Sequence, residues 1–148
     1  MFKGNKGRAF ITFVIVLSTI ISVAVDWNES HIFNKEWHGH AVYHGLLFLN
    51  LLIGTSIVGI WLMWRASKEP ELGVKLAVLL HCIYRVSFFY LGYIVNTANP
   101  MPNHDEVPHF AGMHMYPNVI ASGIIAALLL LGYWIYKREN AGLSNIKF

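Results

Sequence analysis

His40 and His44 stand four residues apart at the head of a long apolar run. On a helix both imidazoles project from one face, one turn above the other. Two rings so placed can share a metal ion. They belong to a larger set, since His31, His38, His104, His109 and His114 also fall in the two polar stretches that the apolar runs leave between them, with Asp26, Glu29, Glu36, Asp105 and Glu106. Three or four such nitrogen and oxygen ligands suit zinc, iron, manganese or copper. His40, His44, His109 and His114 are the candidate ligands, and Asp105 or Glu106 a further ligand or the proton carrier of a catalytic step. Haem is the other cofactor this set could hold, with His44 and His114 as axial ligands. The plainer reading of the same rings is hydrogen bonding to headgroups or backbone.

A second constellation lies inside an apolar run. Arg85 sits about 9 residues from the nearer end of its run, residue 94, hence roughly 14 Å deep at 1.5 Å per residue. A charge at such depth costs at least about 2.5–3.5 kcal/mol, so it should face the protein interior. No carboxylate lies within any apolar run to pair with it. His81 shares its helical face, and Asn50 reaches a similar depth on the preceding run. Asn50, His81 and Arg85 therefore define a candidate intramembrane polar pocket for the anionic or carbonyl-bearing group of an amphipathic ligand. The alternative is a structural network that fixes helix register. Tyr84, Phe88, Phe89, Tyr90 and Tyr93 make the same run strongly aromatic, as core packing or as the wall of that pocket.

The elements that must hold these groups are apolar helices. The 148-residue chain is 55% hydrophobic and 13% charged, with mean hydropathy +0.47. Soluble domains carry roughly 25% charged residues. Four apolar stretches, residues 9–25, 41–64, 72–94 and 119–136, approach or exceed the roughly 20 residues that cross a bilayer core. The expected fold is all-α: one transmembrane domain over residues 1–148, an up-and-down bundle of four helices. The first run follows Lys3, Lys6 and Arg8 as a signal peptide would, but Val23-Ala24-Val25 is a poor cleavage site, so a retained helix is expected. Gly54, Gly59 and Gly123 are the positions where helices should approach closely.

Basic residues set the orientation. Nine of eleven fall at the two termini and the link between the second and third runs, which places both termini in the cytoplasm and the histidines outside. The same clustering excludes nucleic acid as a partner. The single cysteine, Cys82, excludes an intramolecular disulfide and a thiolate-built zinc site. The stretch before the fourth run holds four of the five prolines and should be irregular and stiff.

The segment Asn34-Lys35-Glu36-Trp37-His38-Gly39-His40-Ala41-Val42-Tyr43-His44 resembles the first outer loop of a group of small bacterial four-helix membrane proteins, which reads Asn-Pro-x-Trp-x-x-His-Ala-x-x-His. Asn34, Trp37, His40, Ala41 and His44 match, and Lys35 stands where the proline would be. The resemblance implies a bacterial inner membrane and singles out His40 and His44. A looser resemblance is to the emopamil-binding-protein-like sterol isomerases and ligand-binding proteins, which depend on intramembrane carboxylates that this chain lacks.

Three functions follow from these residues. One is a metal-dependent membrane oxidoreductase acting on a lipid, quinone or other apolar substrate. Another is a haem- or lipid-binding membrane protein. The last is a non-catalytic subunit or assembly factor of a larger membrane complex. Expected partners are the lipid bilayer, an apolar small molecule, and other membrane subunits or further copies of the chain.

Overall fold

The computed structural model describes residues 5–94, 108–110 and 113–141, with the side chains of 92–94, 109, 113 and 114 outside that description. Four helices carry the fold: α1 Asn5–Asp26, α2 Gly39–Trp64, α3 Pro70–Ile94 and α4 Pro117–Ala141. Each is long and apolar enough to cross a membrane. They mark an integral membrane protein built as a four-helix bundle. The helices outrun the apolar stretches by up to five residues at an end, because polar residues such as Lys6, Arg8 and Glu139 continue the backbone ladder into the interface.

Local chemistry fixes where the helices begin. Pro70 and Pro117 each open a helix, at the position where the missing N–H is not needed and the fixed φ is already helical. Before α2, His38 is extended at φ −63° and ψ 147°. The α1–α2 connection is compact rather than loose. Asn28 Oδ1 accepts the Ser30 amide at 2.8 Å, and Asn34 Oδ1 accepts the Glu36 amide at 2.9 Å, both local side-chain turns. Ile32, 7% exposed, tucks under this turn towards Gly45. In the α3–α4 connection, a segment expected to be irregular, two-residue strands β1 His109–Phe110 and β2 Met113–His114 pair antiparallel, His109 opposite His114.

The helices form a ring in which each touches its two chain neighbours and α4 closes against α1. The ends are recognisable from side-chain contacts. Trp64 Nε1 donates to Thr12 Oγ1 at 2.9 Å, the Gly7 amide donates to Glu139 Oε2 at 3.0 Å, and Tyr133 Oη donates to Glu71 Oε1 at 2.9 Å. These contacts gather the start of α1, the end of α4 and the α2–α3 link at one end of the bundle. The opposite end, which carries the α1–α2 turn and the β1–β2 pair, is called the histidine end below.

The terminal end is packed shut. A Cβ on Gly7 would stand 2.5 Å from the Tyr136 backbone, and one on Gly132 2.6 Å from Ile11, so α1 and α4 meet backbone to side chain there. Gly54, expected to be a close approach, has nothing within 4 Å of such an atom, whereas Gly59 and Gly123 lie at ordinary contact. Arg8, expected as a basic flank, is 4% exposed and lies over the Tyr136 ring at 5.4 Å. The apolar core, Ile11, Val14, Ile15, Met63, Val74, Ala77, Val78, Leu129 and Tyr136, fills this half. Where it ends, polar side chains begin.

Candidate functional site: a polar cavity in the histidine half

The first polar layer above the core joins three helices. Thr19 and Ser56 hydroxyls lie 2.8 Å apart, Ser56 Oγ is 3.0 Å from His81 Nε2, and His81 Nδ1 donates to the Ala77 carbonyl at 3.0 Å. A carbonyl can only accept, so the His81 proton sits on Nδ1 in this arrangement. His81 is thereby engaged on both sides at 1% exposure. It shares a face with Arg85 but bonds to neither Arg85 nor the cavity.

Arg85, one turn further, is 4% exposed and poorly satisfied. Of its five N–H donors, Nη2 reaches the Ser18 carbonyl at 3.5 Å and Ser22 Oγ at 3.4 Å, both beyond the usual 2.7–3.2 Å range. Its Nε is buried without an acceptor. The guanidinium also lies 4.8 Å from the centroid of the Tyr84 ring. No carboxylate among the described residues is within ion-pair distance. Across from it on α4, the Ser122 hydroxyl is fully buried and equally without a partner.

Both groups line one cavity of about 340 Å³ between α1, α3 and α4. Its deep part is formed by Ser18, Arg85 and Ile125, and its walls by Ile21, Val25, Phe88 and Ala121. At the histidine end it meets Asp26, His31, Tyr116 and Asn118. Asp26 Oδ1 lies 3.8 Å from His31 Nε2. The close glycine contacts between α1 and α4, at Gly7 and Gly132, lie at the terminal end, away from this cavity. Tyr84, stacked on Phe48 at 4.9 Å, holds the α3 side in place.

Asn50 does not join Arg85. It is exposed, its amide donates to the Leu46 carbonyl at 2.9 Å, and it lines a separate shallow groove with Leu47, Leu51, Gly54, Thr55, Val58 and Leu80. Of the three residues expected to form the intramembrane pocket, Arg85 alone lines the cavity. Ser18, Ser22 and Ser122 were not among those expected. The spacing of Ser18 and Ser22, one turn apart in an otherwise apolar run, is the signal that could have found two of them.

The histidine pair on α2 is as the spacing requires. His40 and His44 place their Nε2 atoms 3.0 Å apart, the rings edge to face with centroids at 4.4 Å. Both rings are exposed. The backbone pairs His109 with His114 near the same end. His104, Asp105 and Glu106 lie outside the described residues, as do the side chains of His109 and His114. Among the described residues no group of three His, Cys, Asp or Glu side chains could hold a metal ion.

Residues 10–146 match a family of unknown function, DUF6640. The chain belongs to that family. Nearly the whole bundle is family sequence, so the Arg85 cavity and the His40–His44 pair both fall within the DUF6640 region. No curated protein and no solved structure matches the chain.

Proposed function

We propose that this DUF6640 member is a membrane protein that binds an amphipathic small molecule inside its bundle, with the polar head of that molecule on Arg85. The observation that carries the reading is a buried guanidinium that, among the described residues, meets no carboxylate and leaves Nε without an acceptor beside a cavity of about 340 Å³. Burying a charge without a partner is strongly unfavourable. A ligand that supplies the missing acceptor offsets that cost on binding, and the cavity is within the roughly 300–1,000 Å³ of small-molecule sites. In this reading the bundle is up-and-down with both termini cytoplasmic, as the basic residues favour, and the cavity faces the outer half of the membrane. Mass spectrometry of the protein released from its own membranes in mild detergent tests it. A molecule that accompanies the wild type and is lost from Arg85→Leu is expected; identical small molecules in both proteins would overturn it.

One observation favours a second site. Two imidazole nitrogens on a metal at about 2.0–2.1 Å stand a little over 3 Å apart, and His40 and His44 Nε2 are 3.0 Å apart. With His109, His114 and Asp105 or Glu106 completing the shell, this pair would bind a transition metal, and an oxidoreductase activity on an apolar substrate would depend on it. Elemental analysis of purified protein decides the point: about one metal per chain, lost in His44→Ala, is expected, and its absence from the wild type ends this reading.

A further inference from the structure

The residues around the cavity specify more than an amphipath. Resting on the ligand-binding reading above, we infer that the occupant is a small monocarboxylate with an apolar middle and a hydroxyl or similar hydrogen-bond donor at its far end. It sits with the carboxylate on Arg85 and Ser122 and the donor at Asp26.

Charge at the level of Arg85 favours a monoanion. Among the described residues the cavity presents one guanidinium at its Arg85 level, while its one carboxylate, Asp26, stands at the far end with His31 beside it. A phosphate monoester carries about −1.5 to −2 charges and three acceptor oxygens, so it would bring surplus negative charge into a site holding a single permanent cation. A carboxylate has one charge and two oxygens, which fit the parallel N–H pair along one edge of a guanidinium. That edge is the unsatisfied part of Arg85: Nε has no acceptor and the adjacent Nη2 has only contacts of 3.4 and 3.5 Å. The unpartnered Ser122 hydroxyl supplies a further donor, a role a carboxylate can use because it accepts on both oxygens.

Shape selects a short molecule with two polar ends. Ser18 and Ser22 mark the level of Arg85 on α1, and Asp26 marks the polar level at the histidine end of the same helix. At 1.5 Å per residue the two polar levels are roughly 6–12 Å apart. Between them the walls are Ile21, Val25, Phe88 and Ala121. The space suits about ten to fifteen non-hydrogen atoms. A tail continuing towards the histidine end would run past Asp26, His31, Tyr116 and Asn118, whereas a terminal hydroxyl can donate to the Asp26 carboxylate.

Three probes of equal chain length separate these features: 8-hydroxyoctanoic acid, octanoic acid and 1,8-octanediol. Each is tested by equilibrium dialysis at pH 8 against the full chain in phosphatidylcholine nanodiscs, with empty nanodiscs subtracted. Hydroxyoctanoate should bind saturably at one per chain, at least about 10-fold tighter than the diol, since hydrogen bonds to charged groups contribute about 1.5–3 kcal/mol. The acid–diol difference should collapse in Arg85→Met and shrink in Ser122→Ala, and the advantage of hydroxyoctanoate over octanoate should vanish in Asp26→Leu, which has no acceptor. Asn50→Leu, in the other groove, should behave as wild type. Ser122→Ala keeps the test open should Arg85→Met not fold. Equal binding of acid and diol overturns the carboxylate assignment. No binding of any probe, in a protein that still carries an Arg85-dependent molecule from its membranes, overturns the ligand class and leaves the cavity reading standing. No probe bound and no such molecule would remove both.

Discussion

The Nη2 atom of Arg85 stands 3.4 Å from Ser22 Oγ, so the buried cation of α3 is turned across the bundle to α1 instead of to either helix beside it in the ring. Its hydrogen bonds to Ser18 and Ser22 are both long and both go to α1. A side chain held mainly for structure would be expected to show shorter and more numerous bonds. Arg85→Met should therefore leave the thermal midpoint of delipidated protein unchanged or higher, because replacing a buried charge with a packed apolar side chain is often neutral or stabilising by about 1–4 kcal/mol. Differential scanning fluorimetry in detergent measures it. A fall of many degrees would make Arg85 a structural anchor.

The glycines divide sharply by location. An added methyl at Gly7 or Gly132 meets α4 or α1 at 2.5–2.6 Å, and neither neighbour is the far end of a flexible chain. Gly7→Ala and Gly132→Ala should each lower stability, by about 1–3 kcal/mol on the usual cost of overpacking. Gly54→Ala should do the reverse, by up to about 1 kcal/mol, since the position is open and alanine is the better helix former. Thermal unfolding of the three variants side by side checks the ordering.

How the chain sits in the membrane is accessible to labelling. In a Cys82→Ser background, single cysteines at Ser30 and Asn103 should react with an impermeant thiol reagent in intact cells, and one at Ser67 should not. Reaction at Ser67 alone would invert the orientation, and reaction at one of the other two positions only would change the number of spans.

Apolar runs long enough to cross a bilayer made the four helices legible in the sequence, because length and hydropathy alone decide them. That Arg85 would face the interior was legible too, since an unpaired charge within an apolar run has nowhere better to go, and it is 4% exposed. Azimuth was not. The buried face of α2 runs through Leu49, Leu52, Ser56, Gly59 and Met63, at the spacing of a packing seam, and Asn50 falls just off it. In a helix that is apolar on every side, hydrophobic periodicity cannot show which stripe is inside. Asn50 was therefore expected beside Arg85 while Ser56, on the seam, was passed over. The cavity had no sequence signature, because its lining residues come from three helices and their meeting is decided by tertiary packing. His40 and His44 were legible because both lie on one helix and their relation needs no tertiary information.

That seam gives the last prediction. Ser56 Oγ is the partner of His81 Nε2 at 3.0 Å, and both residues are buried, at 5% and 1% exposure. Ser56→Ala leaves a buried ring nitrogen without a partner, which costs about 1–3 kcal/mol. His81→Leu also removes the bond, but the serine it leaves still reaches the Leu52 carbonyl at 2.7 Å and Thr19 Oγ1 at 2.8 Å. The serine deletion should thus destabilise the protein through an orphaned imidazole, and the double variant Ser56→Ala/His81→Leu should be more stable than the sum of the two single changes. Thermal or denaturant unfolding of the four proteins closes the cycle. An additive result would mean that the two side chains do not depend on each other, and that the imidazole finds another partner once the hydroxyl is gone.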